Sequence, residues 1–142
     1  MKLIRVKFYN TKISKFIFAL RNKNYVRNNS INTKKIKILE HEKWFESFLK
    51  KKNIIYIISK NKIMIGYIRL EKIKNFFYVS WAILKKYQNM GFAKKGLSFA
   101  TKTKTHKYKA LIKKNNFTSV HVAEKANFKR KYAKKNILYY YK

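Results

Sequence analysis

Three runs of β-branched and aromatic residues, Ile54–Ile58, Ile63–Leu70 and Phe76–Ile83, follow one another with only short polar stretches between them. Runs of this kind mark strands buried on both faces. Ser59–Lys62 and Lys72–Asn75 supply the turns, and strands joined this closely form an antiparallel meander. No other stretch constrains the fold as tightly.

The flanking segments carry other periodicities. Leu3 to Tyr9 alternates apolar and polar residues, as a half-buried strand does. Thr11 is placed to cap a helix whose apolar face is Ile13, Phe16, Ile17 and Leu20. Asn22 to Ser30 is polar and turn-like. A second helix is expected from Ile38 to Lys50, with Ile38, Phe45, Phe48 and Leu49 on one side. After the meander, Gly91 opens a helix containing Phe92, Ala93, Leu97 and Ala100, and the Thr101–Thr105 stretch ends it. Tyr108–Ile112 reads as a strand, Phe117–Ala126 as a helix with Phe117, Val120 and Ala123 inward, and Ile137–Tyr141 as a closing strand. The order is that of an α+β or mixed α/β sandwich, one domain spanning 1–142.

Composition narrows the function. Thirty-seven Lys and Arg stand against five acidic residues, a formal charge of +32. With 46% hydrophobic residues the chain is no disordered polycation. The charge suits a phosphate-bearing partner: nucleic acid, an anionic cofactor or an acidic membrane surface. It equally suits compositional drift, because Lys, Asn, Ile, Phe and Tyr, all with A/T-rich codons, dominate together. Either way, non-specific polyanion binding is expected. There is no Cys and thus no disulfide framework. His41, His106 and His121 lack metal-ligand spacing, so no metal is expected. No apolar run reaches the ~20 residues of a membrane span, and the start lacks a signal-peptide core. A cytoplasmic protein is the expectation, its oligomeric state open.

The strongest local signal is Tyr87-Gln88-Asn89-Met90-Gly91-Phe92-Ala93, between a buried strand and a helix. Glycine there lets a ligand approach the backbone, and the helix start aims unpaired N–H groups outward, as a pyrophosphate requires. A purely structural turn has the same residues. Downstream, Asn116 and Ser119 sit three apart at a helix start, as cap and solvated residue or as two ligand contacts.

Taken together these stretches resemble the GCN5-related N-acetyltransferases. Gln88-x-x-Gly91-x-Ala93 is similar to that family's (Arg/Gln)-x-x-Gly-x-(Gly/Ala) signature. Asn116-x-x-Ser119 with Glu124-Lys125-x-Asn127-Phe128 is similar to its Asn-x-x-Ser…Glu-Lys-x-Gly-Phe. Leu20-Arg21-Asn22, Val26-Arg27-x-x-Ser30, His41-x-x-Trp44-Phe45 and Ile65-Gly66-Tyr67-Ile68-Arg69-Leu70 resemble the branch of ribosomal-protein N-terminal acetyltransferases and, more closely, of acetyltransferases acting on nucleotide-linked amino sugars.

The resemblance implies a central, mostly antiparallel sheet with helices on both faces, and a cleft where strands four and five splay. It implies acetyl-CoA along Ala82 and Ile83, its pyrophosphate on Gln88, Asn89, Gly91, Phe92 and Ala93, and Asn116 on the opposite wall. The amine attacks the thioester directly, so orientation, oxyanion donors and a base are what the protein supplies. Tyr78 stands where relatives carry a catalytic carboxylate, and Ala123 where they carry a general-acid Tyr. Asn127 replaces a Gly. Glu71 is left as a candidate base and Ser119 as donor to the leaving sulfur. For the acceptor, Arg21 and Arg27 are candidates for a substrate phosphate, and His41 and Trp44 for a sugar or base. An amino-sugar nucleotide is the preferred acceptor and a protein N-terminus the next. A basic nucleic-acid-binding module and a weakly active CoA-binding homologue are the alternatives.

Overall fold

The computed structural model describes residues 1–142. It contains β1 (Lys2–Arg5), α1 (Thr11–Arg21), α2 (Asn24–Asn29), α3 (Ile38–Lys50), β2 (Ile54–Lys60), β3 (Ile63–Ile73), β4 (Phe76–Ile83), α4 (Phe92–Ala100), β5 (Lys107–Lys113), α5 (Phe117–Lys125), β6 (Lys129–Lys134) and β7 (Ile137–Tyr141). The strands form one seven-stranded sheet in the order β1-β2-β3-β4-β5-β7-β6. Every pairing is antiparallel except β4 with β5.

The alternation of side chains along β2 to β4 builds two cores. Ile58, Ile68, Leu70, Phe77 and Val79 face Leu97 of α4 and Ala123 of α5. Ile55, Ile57, Tyr67 and Ala82 face Ile17 and Leu20 of α1 and Phe45 and Phe48 of α3. Helices therefore cover both faces of the sheet. Each fully buried Ile or Leu stabilises the fold by about 1.5–3 kcal/mol relative to exposure.

The meander is as expected, with longer strands and tighter turns. Asn61 and Lys62 both adopt positive φ, 48° and 64°, which suits the two-residue hairpin between β2 and β3. β1 stops at Arg5, short of Tyr9. The cap of α1 is Asn10, not Thr11, its side chain accepting from the Ile13 N–H. The polar stretch after α1 folds into α2. Phe117 is 77% exposed and does not point inward. β6 has no counterpart in the sequence reading. All its residues are exposed, so it carries no apolar alternation, and its pairing with β7 holds it.

Candidate active site

β4 and β5 run side by side only from Phe76–Tyr78 against Lys107–Lys109. Beyond that rung the strands diverge, leaving the β4 backbone from Val79 to Ile83 without a β5 partner. A cavity of about 1220 Å³ fills the gap and continues over the α1/α3 face of the sheet. The gap exists because β4 and β5 are parallel and pair only at their first residues.

One end of the cavity is the start of α4. Gly91, the N-cap, has φ +78°, and a Cβ built there meets nothing within 4 Å. None of the backbone N–H groups from Asn89 to Lys94 donates to a backbone carbonyl. Asn89, Gly91, Phe92 and Ala93 all line the cavity, with Lys85 and Lys94 beside them. The arrangement concentrates unpaired donors and positive charge, which an anion satisfies. Gln88 lines the cavity too, but its side-chain amide donates to the Ile83 carbonyl at 3.3 Å. It ties the turn to the end of β4.

Ala82 and Ile83 form the floor of the gap, and Asn116 and Ser119 the opposite wall. Asn116 caps α5, accepting from the Ser119 N–H at 3.2 Å, so the pair is a structural cap and a cavity wall at once. Ala123 is fully buried in the core. Asn127 has φ 66°, a left-handed position after α5 that glycine fills without strain and asparagine tolerates.

The other half of the cavity, over α1 and α3, differs from the sequence reading in its charged groups. Arg21, His41 and Trp44 line the cavity; Arg27 does not. Arg27 instead donates to the Thr33 carbonyl at 3.1 Å and to Asn24 Oδ1 at 3.3 Å, pinning the loop before α3. Glu71 and Tyr78, paired across β3 and β4, also lie outside the cavity. On that sheet face it ends one rung earlier, at Arg69 opposite Ser80. Tyr78 accepts from Lys109 Nζ at 3.5 Å, and Glu71 forms no ion pair.

Arg69 is the residue the sequence reading passed over. Its signal is a lone charge inside the apolar run Ile63–Leu70, and in the structure it is half-buried. Its guanidinium lies over the Trp44 ring, 5.5 Å from the centroid, and over Phe48 at 5.9 Å. Arg69 Nε and Arg21 Nη1 are buried without hydrogen-bond partners. Arg21 Nη2 donates to the Asn32 carbonyl at 2.6 Å. Burial lowers the Arg21 pKa, opposed by Tyr67 and helped to a lesser degree by the charges of Arg69 and Arg27. No carboxylate pairs with either arginine, the one ion pair being Lys50–Glu46 on the surface.

A sheet opened after its fourth strand, with an unpaired helix start at one end of the gap and a deep second chamber beside it, is the architecture of an acyl-CoA-dependent transferase. Residues 10–129 match the family model of the acetyltransferase (GNAT) domain. The chain belongs to this family, and it is an acetyl-CoA-dependent N-acetyltransferase. No curated protein sequence matches it. Among solved structures it is similar to the ribosomal-protein-alanine N-acetyltransferase of Brucella melitensis, with TM-score 0.80, 13% identity and coverage of 100% of this chain and 99% of that one. It is similar to the N-acetyltransferase PseH of Campylobacter jejuni in complex with acetyl coenzyme A (0.71, 16%, 99% and 96%). It is also similar to the spermidine N-acetyltransferase of Vibrio cholerae in complex with CoA and spermine (0.76, 15%, 98% and 92%). Identities this low speak to the fold. No helix is long and apolar enough to cross a membrane.

The residues fit the donor. A free strand edge, a left-handed glycine with open space above it and a row of unpaired N–H groups are what an extended arm ending in a pyrophosphate needs.

Proposed function

We propose that the chain acetylates the primary amine of an amino-sugar nucleotide. The observation that carries this reading is the pair of half-buried arginines in the cavity, Arg21 and Arg69, each with one buried guanidinium nitrogen that has no hydrogen-bond partner and neither with a carboxylate counter-charge. Two such cations disfavour a polycationic acceptor and favour one that brings its own anion, as a sugar nucleotide does. Trp44, held under Arg69, offers an aromatic surface to a ring.

Bound acetyl-CoA supplies an activated thioester. In this reading the N–H groups from Asn89 to Ala93 hold its pyrophosphate, Ala82 and Ile83 flank the arm, and Asn116 closes the far wall. Ser119 is the hydroxyl nearest in kind to a donor for the leaving sulfur. The chain's own part is to hold the amine in line with the acetyl group and to keep water out.

Arg69→Gln and Arg21→Gln each remove a charge-assisted contact of about 1.5–3 kcal/mol. Each is expected to lower kcat/KM for a UDP-linked amino sugar by roughly 10- to 150-fold, with acetyl-CoA binding unchanged. Thiol release is to be compared across that acceptor, a peptide with a free N-terminal Ala, and spermidine. Equal rates for spermidine and the sugar nucleotide, or insensitivity to both substitutions, contradict the acceptor assignment.

A further inference from the structure

The acceptor amine reaches the enzyme as an ammonium, and something must take a proton from it before it attacks. The carboxylates are otherwise engaged or misplaced. Glu46 pairs with Lys50 on the surface, Glu124 accepts from the Tyr140 hydroxyl at 2.9 Å, and Glu71 lies outside the cavity. Glu40 lines the cavity but serves the start of α3, accepting from the Lys37 N–H at 3.3 Å.

His41 is different. It lines the cavity and is 1% exposed, packed between the rings of Phe18, Trp44 and Phe45 at 5.4–5.9 Å. Its Nε2 lies 3.0 Å from Ser14 Oγ, and Ser14, fully buried, lies 2.9 Å from Glu42 Oε1. The other oxygen of Glu42 accepts from the Tyr9 hydroxyl. Proton counting fixes the direction. A carboxylate only accepts, so the single Ser14 proton goes to Glu42 and Ser14 Oγ must accept from His41 Nε2–H. The neutral ring then has its lone pair on Nδ1, which makes no hydrogen bond within the protein.

We propose that His41 Nδ1 is the base that takes the proton from the acceptor's ammonium, and that Ser14 and Glu42 fix its tautomer and lead the proton to the surface. This rests on the acetyl-transfer reading above. One ammonium N–H bond breaks as Nδ1–H forms, and the freed lone pair makes the new C–N bond as the C–S bond breaks. The Nε2 proton passes to Ser14 as Ser14 hands its own to Glu42 and water. The amine's second proton goes to the departing sulfur.

The groups around His41 are consistent with a neutral ring at rest. Burial lowers its pKa, opposed by the backbone of Ser14 and by the charge of Glu42. The Tyr9 bond, with lesser help from Ser14, His41 and Lys15, lowers the pKa of Glu42 and keeps it a carboxylate. From the other elements lining the cavity, α1 contributes Arg21, α2 Tyr25, β3 Tyr67 and Arg69, the turn after β4 Lys85 and Tyr87, α4 Lys94, and α5 His121 and Lys125, while Glu40 is the neighbour on α3.

The test is the pH dependence of thiol release from about pH 6 to about pH 9, which spans the ordinary pKa values of His and of an amine. A UDP-linked amino sugar serves as acceptor, with saturating acetyl-CoA. His41→Gln is expected to lose about 100-fold or more in kcat at pH 7, the low end of general-base contributions. The loss should shrink about tenfold per pH unit as free amine replaces ammonium. Glu42→Gln should move the acid limb to lower pH, since the carboxylate that favours imidazolium is gone. Ser14→Ala, which leaves Nε2 without its acceptor, should repeat the His41→Gln loss in part. His106→Gln should superimpose on the wild type. A loss in His41→Gln that is constant with pH, or confined to KM, overturns the base, as does an unmoved acid limb in Glu42→Gln. If His41→Gln does not fold, the Glu42→Gln profile decides alone. No turnover by the wild type on any amine overturns the transfer reading and the base with it.

Discussion

Gly91→Val abolishes most of the thermal stabilisation that acetyl-CoA gives the wild type. At ~100 times its Kd the ligand stabilises the fold by about 2.7 kcal/mol. Gly91 has φ +78°, a region that a β-branched residue enters only with strain of about 1–2 kcal/mol. Nothing within 4 Å opposes a Cβ there, so the variant has room to fold. Relief of that strain means rotating the peptide that begins α4, which turns the free N–H groups away from the cavity. If the strain stays instead, the new side chain occupies the space an anion needs. Strain alone would lower the stability of the free protein and leave the ligand-induced shift intact, whereas loss of the shift itself marks the anion site. ATP is the control, because a protein of charge +32 attracts any polyphosphate. Equal shifts in wild type and variant contradict the assignment.

Gly66→Ala acts from the other side of the cleft. Gly66 lies opposite Ile83 in the β3–β4 pair, and a Cβ there would stand 2.5 Å from the Ala82 carbonyl oxygen and 2.5 Å from Ile83 Cδ1. The Ile83 methyl can rotate away, but the carbonyl cannot move without shifting β4. The β3–β4 register is unbroken here and runs on past Ile83, with the Leu84 N–H bonded to the Ile65 carbonyl at 2.8 Å. Overpacking of this kind is expected to destabilise by about 1–3 kcal/mol, or roughly 2–4 °C in Tm for each kcal/mol. Because Ala82 and Ile83 form the cavity floor, kcat should fall with it. A variant as stable and active as the wild type would show that this edge of the cleft is free to move.

How much of this was legible depends on where the signal lay. The meander was legible because its β-branched runs stand between short polar turns, and α3 because Phe45 and Phe48 recur on one face. β6 was not, because Lys129–Lys134 is exposed throughout and is held by backbone pairing and by Tyr132 stacked 4.4 Å from Tyr139. α2 was not, since Asn-Tyr-Val-Arg-Asn-Asn is poor helix material. Its anchor is long-range, with Tyr25 donating to the Ile83 carbonyl at 3.3 Å and accepting from the Lys85 N–H at 3.0 Å.

The turn and helix start at one end of the cavity were legible through Gly91 and the apolar residues that follow it. The lining of the other half was legible only in part, because it depends on strand register. A reading that places the cavity one rung too far along β3 and β4 selects Glu71 and Tyr78 in place of Arg69 and Ser80. The network of Ser14, His41 and Glu42 is legible only once α1 and α3 are packed together, since its members come from both helices.

The measurement that bears most directly on the whole account is free-thiol release when the protein meets acetyl-CoA with and without a UDP-linked amino sugar, at about 200 mM salt, where non-specific polyanion contacts have faded. The account predicts thiol that appears only with the amine and matches the acetylated sugar mole for mole. Stabilisation by acetyl-CoA with no amine-dependent thiol, from this acceptor or from a peptide N-terminus or spermidine, would mean a protein that binds the donor without transferring from it, and would contradict the account.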